Sequence, residues 1–309
     1  MNGFGWLMAC LVACLSMSTW AQKVELKAKY EPGTYVMTYS MAGSESTYNK
    51  NRTETRGDGR PVYFQERDRV IMTVDMLVGQ ADDDGNIEVA YTFRTLKKGD
   101  WYDSTTDAKT KDVTAMVYNA IIGKSLSVTF DPMGNAGDLK GLDELAAAMA
   151  GALPNEVPIK QVMPHAKRFS EYLLDGIGQA AVFPNKPVGK GDTWEISTPV
   201  MPKRGTWCLK QVYKLTEIKD GVATVTGTAK RTHKNNPEAE KKAGEISEMN
   251  VTIHSTLLID VATGMVRSAT AKHKGMIATS DKIYDTTITF DADVGATIKK
   301  SAPEPPAAK

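Results

Sequence analysis

Residues suited to metal binding or acid-base chemistry are few and widely spaced in this chain. It contains four histidines: His165, His233, His254 and His273. No two of them have the spacing of metal ligands on one helix, and no group of cysteines accompanies them. His254 alternates out of phase with Ile253 and Ser255, so its side chain is predicted to face solvent. The sequence therefore predicts surface histidines, with no metal and no cofactor.

Catalytic motifs built on a nucleophile or a phosphate-binding loop do not occur in the sequence. There is no Gly-x-Ser-x-Gly motif, no Walker motif and no dinucleotide-binding glycine loop. Glycoside hydrolysis needs only two carboxylates at a suitable separation, and Asp75 and Glu88 lie within otherwise apolar strand patterns. The alternation points both toward a solvated face. The sequence thus does not indicate an enzyme, and a hydrolase of glycan or peptide remains a third hypothesis.

Three consecutive aspartates precede Gly85 and invite comparison with a calcium-binding loop. An EF-hand loop with its glycine at this position would begin at Gln80 and end at Tyr91. Neither residue has the carboxylate that the loop requires at its ends. The stretch is therefore predicted to be the turn of a β-hairpin.

Soft, adaptable side chains are concentrated on one face of two predicted strands. The candidate ligand-binding residues are Tyr35, Met37, Tyr39, Met72 and Met76. Methionine-rich faces either fill irregular gaps in a core or line sites for varied apolar ligands. Both interpretations stay open: an ordinary core closed by helices, or a cavity that holds an apolar ligand.

Alternation with a period of two dominates the chain and predicts antiparallel strands with one solvated face. The predicted strands include residues 23–41, 62–78, 207–218 and 222–228, and a charged loop is predicted over 230–247. Helical spacing replaces the alternation at 112–123, 138–153 and 165–176. The predicted fold class is α+β: a mainly antiparallel sheet, either curved or built as two related β halves, with two or three helices from the middle of the chain.

The stretch 183–197 marks the main division of the chain. Two prolines and two glycines force a turn before a strand that begins at Trp194. Gly191-Asp-Thr-Trp194 echoes Gly33-Thr-Tyr35, which indicates a faint internal duplication. By analogy with Tyr35, Trp194 is predicted to be buried. The predicted organisation is a signal peptide at 1–21, an N-terminal β half with helices at 22–187, a C-terminal β half at 188–298 and a disordered tail at 299–309.

Residues 1–21 carry no charged side chain and contain an apolar run from Trp6 to Leu15. The run is too short for a membrane span and is typical of a secretory signal peptide, with cleavage before Gln22. As an alternative, Leu11-Val-Ala-Cys14 matches a bacterial lipobox, in which Cys14 would be acylated. We therefore predict export to the periplasm or cell surface, with lipid anchoring at Cys14 as the alternative.

The overall charge limits the classes of partner. Lys plus Arg number 38 and Asp plus Glu 37, so no basic excess attracts nucleic acid. The partners that remain are a lipid or other apolar ligand, and proteins of the envelope. The corresponding hypotheses are a non-enzymatic ligand-binding protein and a structural or protein-binding module that uses the charged loops 49–61 and 230–248.

The turns and strand starts carry a resemblance to a known family. The motifs are Gly33-Thr-Tyr35, Gly191-Asp-Thr-Trp194, Lys219-Asp-Gly221, Asp131-Pro-Met-Gly134 and Asp260-Val-Ala-Thr-Gly264. Together they resemble an exported bacterial family known only as a domain of unknown function, over roughly residues 24–295. The layout is also similar to the curved sheet with a helical plug of envelope lipoprotein carriers. The resemblance implies an architecture and leaves the chemistry open.

Overall fold

The computed structural model describes residues 23–49, 64–106, 112–153, 157–163, 166–167, 183–200, 206–234, 245–280 and 285–301. The elements in the first half of the chain are β1 (Gly33–Asn49), β2 (Phe64–Ala81), β3 (Ile87–Lys98), β4 (Tyr102–Asp103), α1 (Val113–Ile121), β5 (Ser125–Phe130), β6 (Ala136–Lys140) and α2 (Leu142–Gly151). Those in the second half are β7 (Thr193–Val200), β8 (Thr206–Lys219), β9 (Val222–Lys234), β10 (Glu245–Asp260), β11 (Val266–Ser280) and β12 (Asp285–Lys300).

All twelve strands in the described part of the chain belong to one antiparallel sheet. Their order is β6-β5-β3-β2-β1-β12-β11-β10-β9-β8-β7, with β4 beside β3. The first strand pairs with the last along most of its length, from Tyr35↔Lys300 to Asn49↔Thr286. This pairing joins β1–β6 to β7–β12 and leaves β6 and β7 as edge strands. The predicted fold class, a mainly antiparallel sheet with helices from the middle of the chain, is confirmed.

Short turns with specific backbone chemistry set the register of the hairpins. Asp220 and Gly221 take positive φ values of 50° and 74°. Two consecutive residues with positive φ are the backbone of a type I′ turn, which matches the twist of the strands that it connects. The hairpin predicted at Lys219-Asp-Gly221 is confirmed, since β8 ends at Lys219 and β9 begins at Val222.

The β2–β3 and β5–β6 turns share the sequence Asp-x-x-Gly-Asn and the same hydrogen bonds. Asp82 Oδ1 accepts from the backbone N–H groups of Asp84 and Asn86, at 3.0 and 2.7 Å. Asp131 accepts from the equivalent N–H groups at 2.9 and 2.8 Å. The Asp82 carboxylate is thus occupied by the backbone of its own turn. The hairpin turn predicted at this position is confirmed, since β2 ends at Ala81 and β3 begins at Ile87.

One face of the sheet carries the hydrophobic core. On β2 the buried residues alternate with half-exposed or exposed ones, and the buried residues are Val70, Met72, Val74, Met76 and Val78. Both helices contribute to the same cluster, with Ile121 from α1 and Leu145 and Met149 from α2. The opposite face is polar and solvated, as the alternation predicts.

Residues 23–30, here called the strap, cross one end of the sheet. Every second residue of the strap is buried: Val24, Leu26, Ala28 and Tyr30. The strand predicted over 23–41 therefore has its correct alternation but begins only at Gly33. The prediction is wrong for residues 23–32 because the strap does not pair with a neighbouring strand. Its backbone hydrogen-bonds to turns and forms one isolated β-bridge, between Val24 and Val188.

The contacts of the strap show that the sheet is strongly curved. The Ala28 N–H donates to the Pro132 carbonyl of the β5–β6 turn, and the Lys29 N–H donates to the Thr263 carbonyl of the β10–β11 turn, both at 2.9 Å. Five strand spacings separate β5 from β11 in the sheet. In a flat sheet they would span about 24 Å, at about 4.8 Å per strand. Two consecutive residues can bond to both turns only because the sheet curves.

Helix α1 begins where the sequence predicts, whereas α2 begins later than predicted. In α1, the Asp112 carboxylate accepts from the Ala115 N–H at 2.9 Å, which confirms the predicted N-cap. The helix predicted over 138–153 begins later, because residues 136–140 form β6. Gly141 separates the two elements with φ of 86°, a left-handed conformation that interrupts a helix. The helix predicted at 165–176 lies almost wholly outside the described residues.

The charged loop predicted over 230–247 is shorter in the structure. Strand β9 continues to Lys234 and β10 begins at Glu245. The prediction is wrong at both ends because the ladder bonds join backbone groups, so polar side chains can extend a strand on its solvated face. The predicted signal peptide at 1–21 and most of the predicted tail lie outside the described residues.

Trp194 lies at the start of the edge strand β7 and is half-buried. Its ring stacks on Tyr213 with centroids 5.5 Å apart and planes at 26°. Trp194 is less buried than predicted, because β7 has a neighbouring strand on one side only in the part of the chain that the structure describes. The side chain still packs against the core cluster.

Replacing Trp194 by alanine is expected to lower the free energy of unfolding by about 2 kcal/mol. Replacing a fully buried tryptophan by alanine typically costs about 3–5 kcal/mol of stability. Trp194 is only partly buried, so its replacement should cost less. Urea unfolding measures the change, with the exposed Val212→Ala as a control that should stay within about 0.5 kcal/mol of the parent. A loss equal to that of a full core tryptophan would contradict the half-buried position.

Candidate functional site

The structure brings the predicted ligand-binding residues together on the core face of β1 and β2. Tyr35 lies directly opposite Met76, and Tyr39 lies opposite Met72, with Met37 between the two pairs. None of the five side chains is more than 5% exposed. They form one continuous surface, here called the Met/Tyr patch. Their role in ligand binding stays a prediction, because these buried side chains also serve as core.

Two tyrosines beside the Met/Tyr patch have unusual surroundings. Tyr91 on β3 lies opposite Met76, and the Tyr30 ring of the strap packs edge-on against Phe130, with centroids 6.1 Å apart. Burial raises the pKa of both phenols, and the neighbouring Tyr30 raises the pKa of Tyr91 further. Within the described residues, neither hydroxyl has a hydrogen-bond partner. A buried hydroxyl without a partner typically costs about 1–3 kcal/mol.

Other buried tyrosines in the structure do have partners for their hydroxyls. Tyr102 donates to Asn119 Oδ1 at 2.7 Å, and Tyr213 donates to Gln211 Oε1 at 2.7 Å. The Tyr35 hydroxyl donates to the Glu31 carbonyl at 2.8 Å. Sequence reasoning missed Tyr30 and Tyr91 as candidates. Their alternation predicts burial, but no sequence pattern shows whether a buried hydroxyl finds a partner.

Two adjacent cavities of about 510 and 530 Å³, both open to solvent, lie on the polar face of β1 and β10–β12. The wall of the first includes the exposed Arg69 and not its buried neighbour Val70, which places the cavity on the polar face. Its other ionisable side chains are His254, Lys272 and Asp293. None of the five residues of the Met/Tyr patch lines either cavity. The acidic side chains of β12 lie beside the lysines of β11, an arrangement typical of cross-strand charge pairing.

The two carboxylates considered for glycoside hydrolysis do not form a catalytic pair. Asp75 forms an ion pair with Arg94 at 3.3 Å, and Glu88 forms another with Lys140 at 3.3 Å. Asp75 lies opposite Thr92, four residues along β3 from Glu88. The carboxylates are therefore about 14 Å apart, beyond the roughly 5–9.5 Å of glycosidases. A hydrogen bond from Ser127 lowers the pKa of Glu88, whereas a general acid needs a raised pKa.

The structure describes the side chains of two of the four histidines, His254 and His273. His254 is exposed, as predicted, and its Nδ1 lies 3.5 Å from Thr228 Oγ1. His273 is half-buried, whereas the side chains of His165, His233 and Cys208 lie outside the described residues. In the part of the chain that the structure describes, no three His, Cys, Asp or Glu side chains are placed to hold a metal ion.

An exposed aromatic cluster lies at the end of β3. Trp101 is 52% exposed, and its ring centroid lies 5.8 Å from that of Tyr102 and 6.1 Å from that of Tyr118. The ammonium of Lys98 lies 5.9 Å from the Tyr118 ring centroid, within cation–π range. Exposed tryptophans with aromatic support are frequent in protein-binding surfaces.

A comparison with family models identifies the relationship of this chain to known sequences. Residues 86–266 match the model of a family of unknown function (DUF6263). The chain belongs to this family. The predicted resemblance to a domain of unknown function is therefore confirmed, and the matched region extends from the start of β3 into β11.

Curated proteins and solved structures add little to the family assignment. No curated protein matches the chain. The outer membrane protein OprG from Pseudomonas aeruginosa is 7% identical, with a TM-score of 0.22, and the match covers 88% of this chain and 98% of OprG. A porin mutant of Rh. blastica is 9% identical with a TM-score of 0.23, over 86% and 100% of the two chains. Likenesses at these TM-scores support no inference about function.

The described helices are relevant to the question of membrane insertion. None of them is both long enough and apolar enough to span a bilayer. Helices α1 and α2 have nine and ten residues, whereas a transmembrane helix needs about 20.

Proposed function

We propose that this chain is an exported, non-enzymatic protein of the bacterial envelope that binds a lipid or other apolar ligand between its sheet and its helices. The observation that carries the proposal is the Met/Tyr patch, a continuous set of flexible apolar side chains on the core face of β1 and β2. Export is supported by the uncharged, apolar segment 1–21. The ion-paired Asp75 and Glu88 give no support to the hydrolase hypothesis.

The ligand would enter by displacing side chains of the patch. Met37, Met72 and Met76 are themselves part of the hydrophobic core, with at most 1% of their surface exposed. Methionine has three rotatable side-chain bonds and no branch, so it can re-pack around a ligand at low cost. The same adaptability distinguishes this surface from a core of branched side chains.

Replacing Met37, Met72 and Met76 together by leucine is expected to weaken the binding of an apolar probe by about ten-fold. Met-to-Leu exchanges nearly conserve volume, so each should cost less than about 1.5 kcal/mol of stability. The branched leucine loses the freedom to re-pack around a ligand. The measurement is a titration with a fluorescent apolar dye, with the thermal midpoint recorded for each variant.

The matched control is Met265→Leu, the same exchange at a buried methionine beside the β10–β11 turn. It should leave the affinity for the dye unchanged. Equal affinity of the triple variant and the parent would show that the patch takes no part in binding. No binding of any apolar probe to the parent chain would contradict the proposed function itself.

The exposed aromatic cluster supports a second candidate function, a structural or protein-binding module of the cell surface. Trp101 is the residue that favours it, because a tryptophan that is 52% exposed gains little from folding and much from a partner. If no apolar probe binds, retention of a defined envelope protein that is lost in Trp101→Ala would favour this second candidate.

A further inference from the structure

The hydroxyls of Tyr30 and Tyr91 are the polar groups that the packing of the core leaves unexplained. Tyr30 is 6% exposed and Tyr91 is 1% exposed. Within the described residues, neither hydroxyl makes a hydrogen bond, whereas Tyr35, Tyr102 and Tyr213 each donate one. Buried hydroxyls in native proteins almost always have a partner, so a group that lacks one points to a molecule bound from outside the chain.

The position of these hydroxyls relates them to the Met/Tyr patch. Tyr91 lies opposite Met76, and Met76 lies opposite Tyr35, so the three side chains form one row across β3, β2 and β1. Tyr30 reaches the same region from the strap and belongs to the same hydrophobic cluster. The unpartnered donors therefore lie at one end of the surface proposed to bind an apolar ligand.

We propose that Tyr30 and Tyr91 bind the polar end of the ligand, and that this end is an uncharged hydrogen-bond acceptor such as an ester or ketone carbonyl. This inference rests on the proposed function. It adds the class of ligand: a neutral amphiphile whose chain lies along the Met/Tyr patch and whose carbonyl accepts from the two phenols. Each phenol can donate one hydrogen bond, and a carbonyl oxygen has two lone pairs to receive them.

The absence of buried cations selects a neutral ligand over an ionised one. No Lys, Arg or His is buried among the residues that the structure describes. Burying a carboxylate or phosphate without an opposite charge costs far more than burying a carbonyl that is hydrogen-bonded. A fatty acid would therefore bind less well than its methyl ester at neutral pH.

The experiment compares Tyr30→Phe, Tyr91→Phe and the double variant with the parent chain. The probes are methyl dodecanoate, dodecanoate and dodecane, each measured by displacement of a fluorescent apolar dye. The parent is expected to bind the ester at least about ten-fold more tightly than dodecane, and the double variant should bind the two alike. Dodecane affinity should not change. Tyr213→Phe is the matched control, since its hydroxyl already has a protein partner.

The outcomes separate the inference from the proposed function. If parent and double variant bind the ester equally while all probes still bind, the two hydroxyls hold only an ordered water and the inference is overturned. If no probe binds the parent, the proposed function fails. The thermal midpoint gives an independent readout: the Phe variants should be as stable as the parent or more stable. A marked loss of stability would reveal protein partners for the hydroxyls and would also overturn the inference.

Discussion

Gly264→Ala is expected to destabilise the protein by about 3–5 kcal/mol, through a clash with the strap. Gly264 has φ of +68°, which a non-glycine residue adopts only with strain. A Cβ at this position would lie far inside the van der Waals radius of the Lys27 carbonyl oxygen and 2.7 Å from the carbonyl carbon. The neighbouring N–H of Ala28 donates a hydrogen bond to the Pro132 carbonyl, so the strap cannot move aside without breaking that hydrogen bond. Urea unfolding measures the loss.

The control for this substitution is Gly221→Ala. Gly221 has φ of +74°, close to that of Gly264, but a Cβ there would meet nothing within 4 Å. Gly221→Ala should therefore lower the free energy of unfolding by only about 1–2 kcal/mol, which is the strain of the left-handed backbone alone. The difference between the two variants isolates the contact between the strap and the β10–β11 turn. Equal losses would show that the strap does not press against this turn.

Leu26→Ala is expected to lower the free energy of unfolding by about 2–5 kcal/mol, a typical range for a leucine removed from a packed core. Leu26 is fully buried although it lies outside the sheet. Domains of ordinary stability have only about 5–15 kcal/mol in total, so this single change removes a large part of it. The midpoint and slope of urea unfolding give the loss and test whether the transition stays two-state.

Lys27→Ala is the neighbouring control for Leu26→Ala. Its ammonium pairs with the Glu25 carboxylate at 2.7 Å, and both side chains are more than a third exposed. Exposed ion pairs contribute little, so this variant should stay within about 1 kcal/mol of the parent. If Leu26→Ala were equally mild, the strap would be a surface segment and not part of the core.

The sequence predicts the strands better than the sheet that they form. The period-two pattern over residues 62–78 locates the buried residues of β2 correctly, because alternation and burial have the same cause on a half-solvated sheet. It cannot reveal that residues 23–30 leave the sheet, because Val24 and Leu26 alternate with charged residues just as a strand would. Only the hydrogen-bond partners of Ala28 and Lys29 distinguish the strap from a strand.

The candidate site is predictable in part for a similar reason. Alternation places Tyr35, Met37 and Tyr39 on one face, and the register of β1 and β2 brings Met72 and Met76 beside them. The role of Tyr30 and Tyr91 could not be predicted from the sequence. Whether a buried hydroxyl finds a hydrogen-bond partner depends on contacts between residues far apart in the chain. Sequence also overestimates the burial of Trp194, since it does not show that β7 is an edge strand.

Native mass spectrometry of the protein isolated from its own host tests the central proposal most directly. We expect a species heavier than the polypeptide by the mass of one neutral amphiphile, which organic solvent removes and which can then be identified. The Tyr30→Phe, Tyr91→Phe double variant should retain less of it. The mass of the polypeptide alone, in repeated gentle preparations from the envelope, would contradict the proposal that this chain binds an apolar ligand.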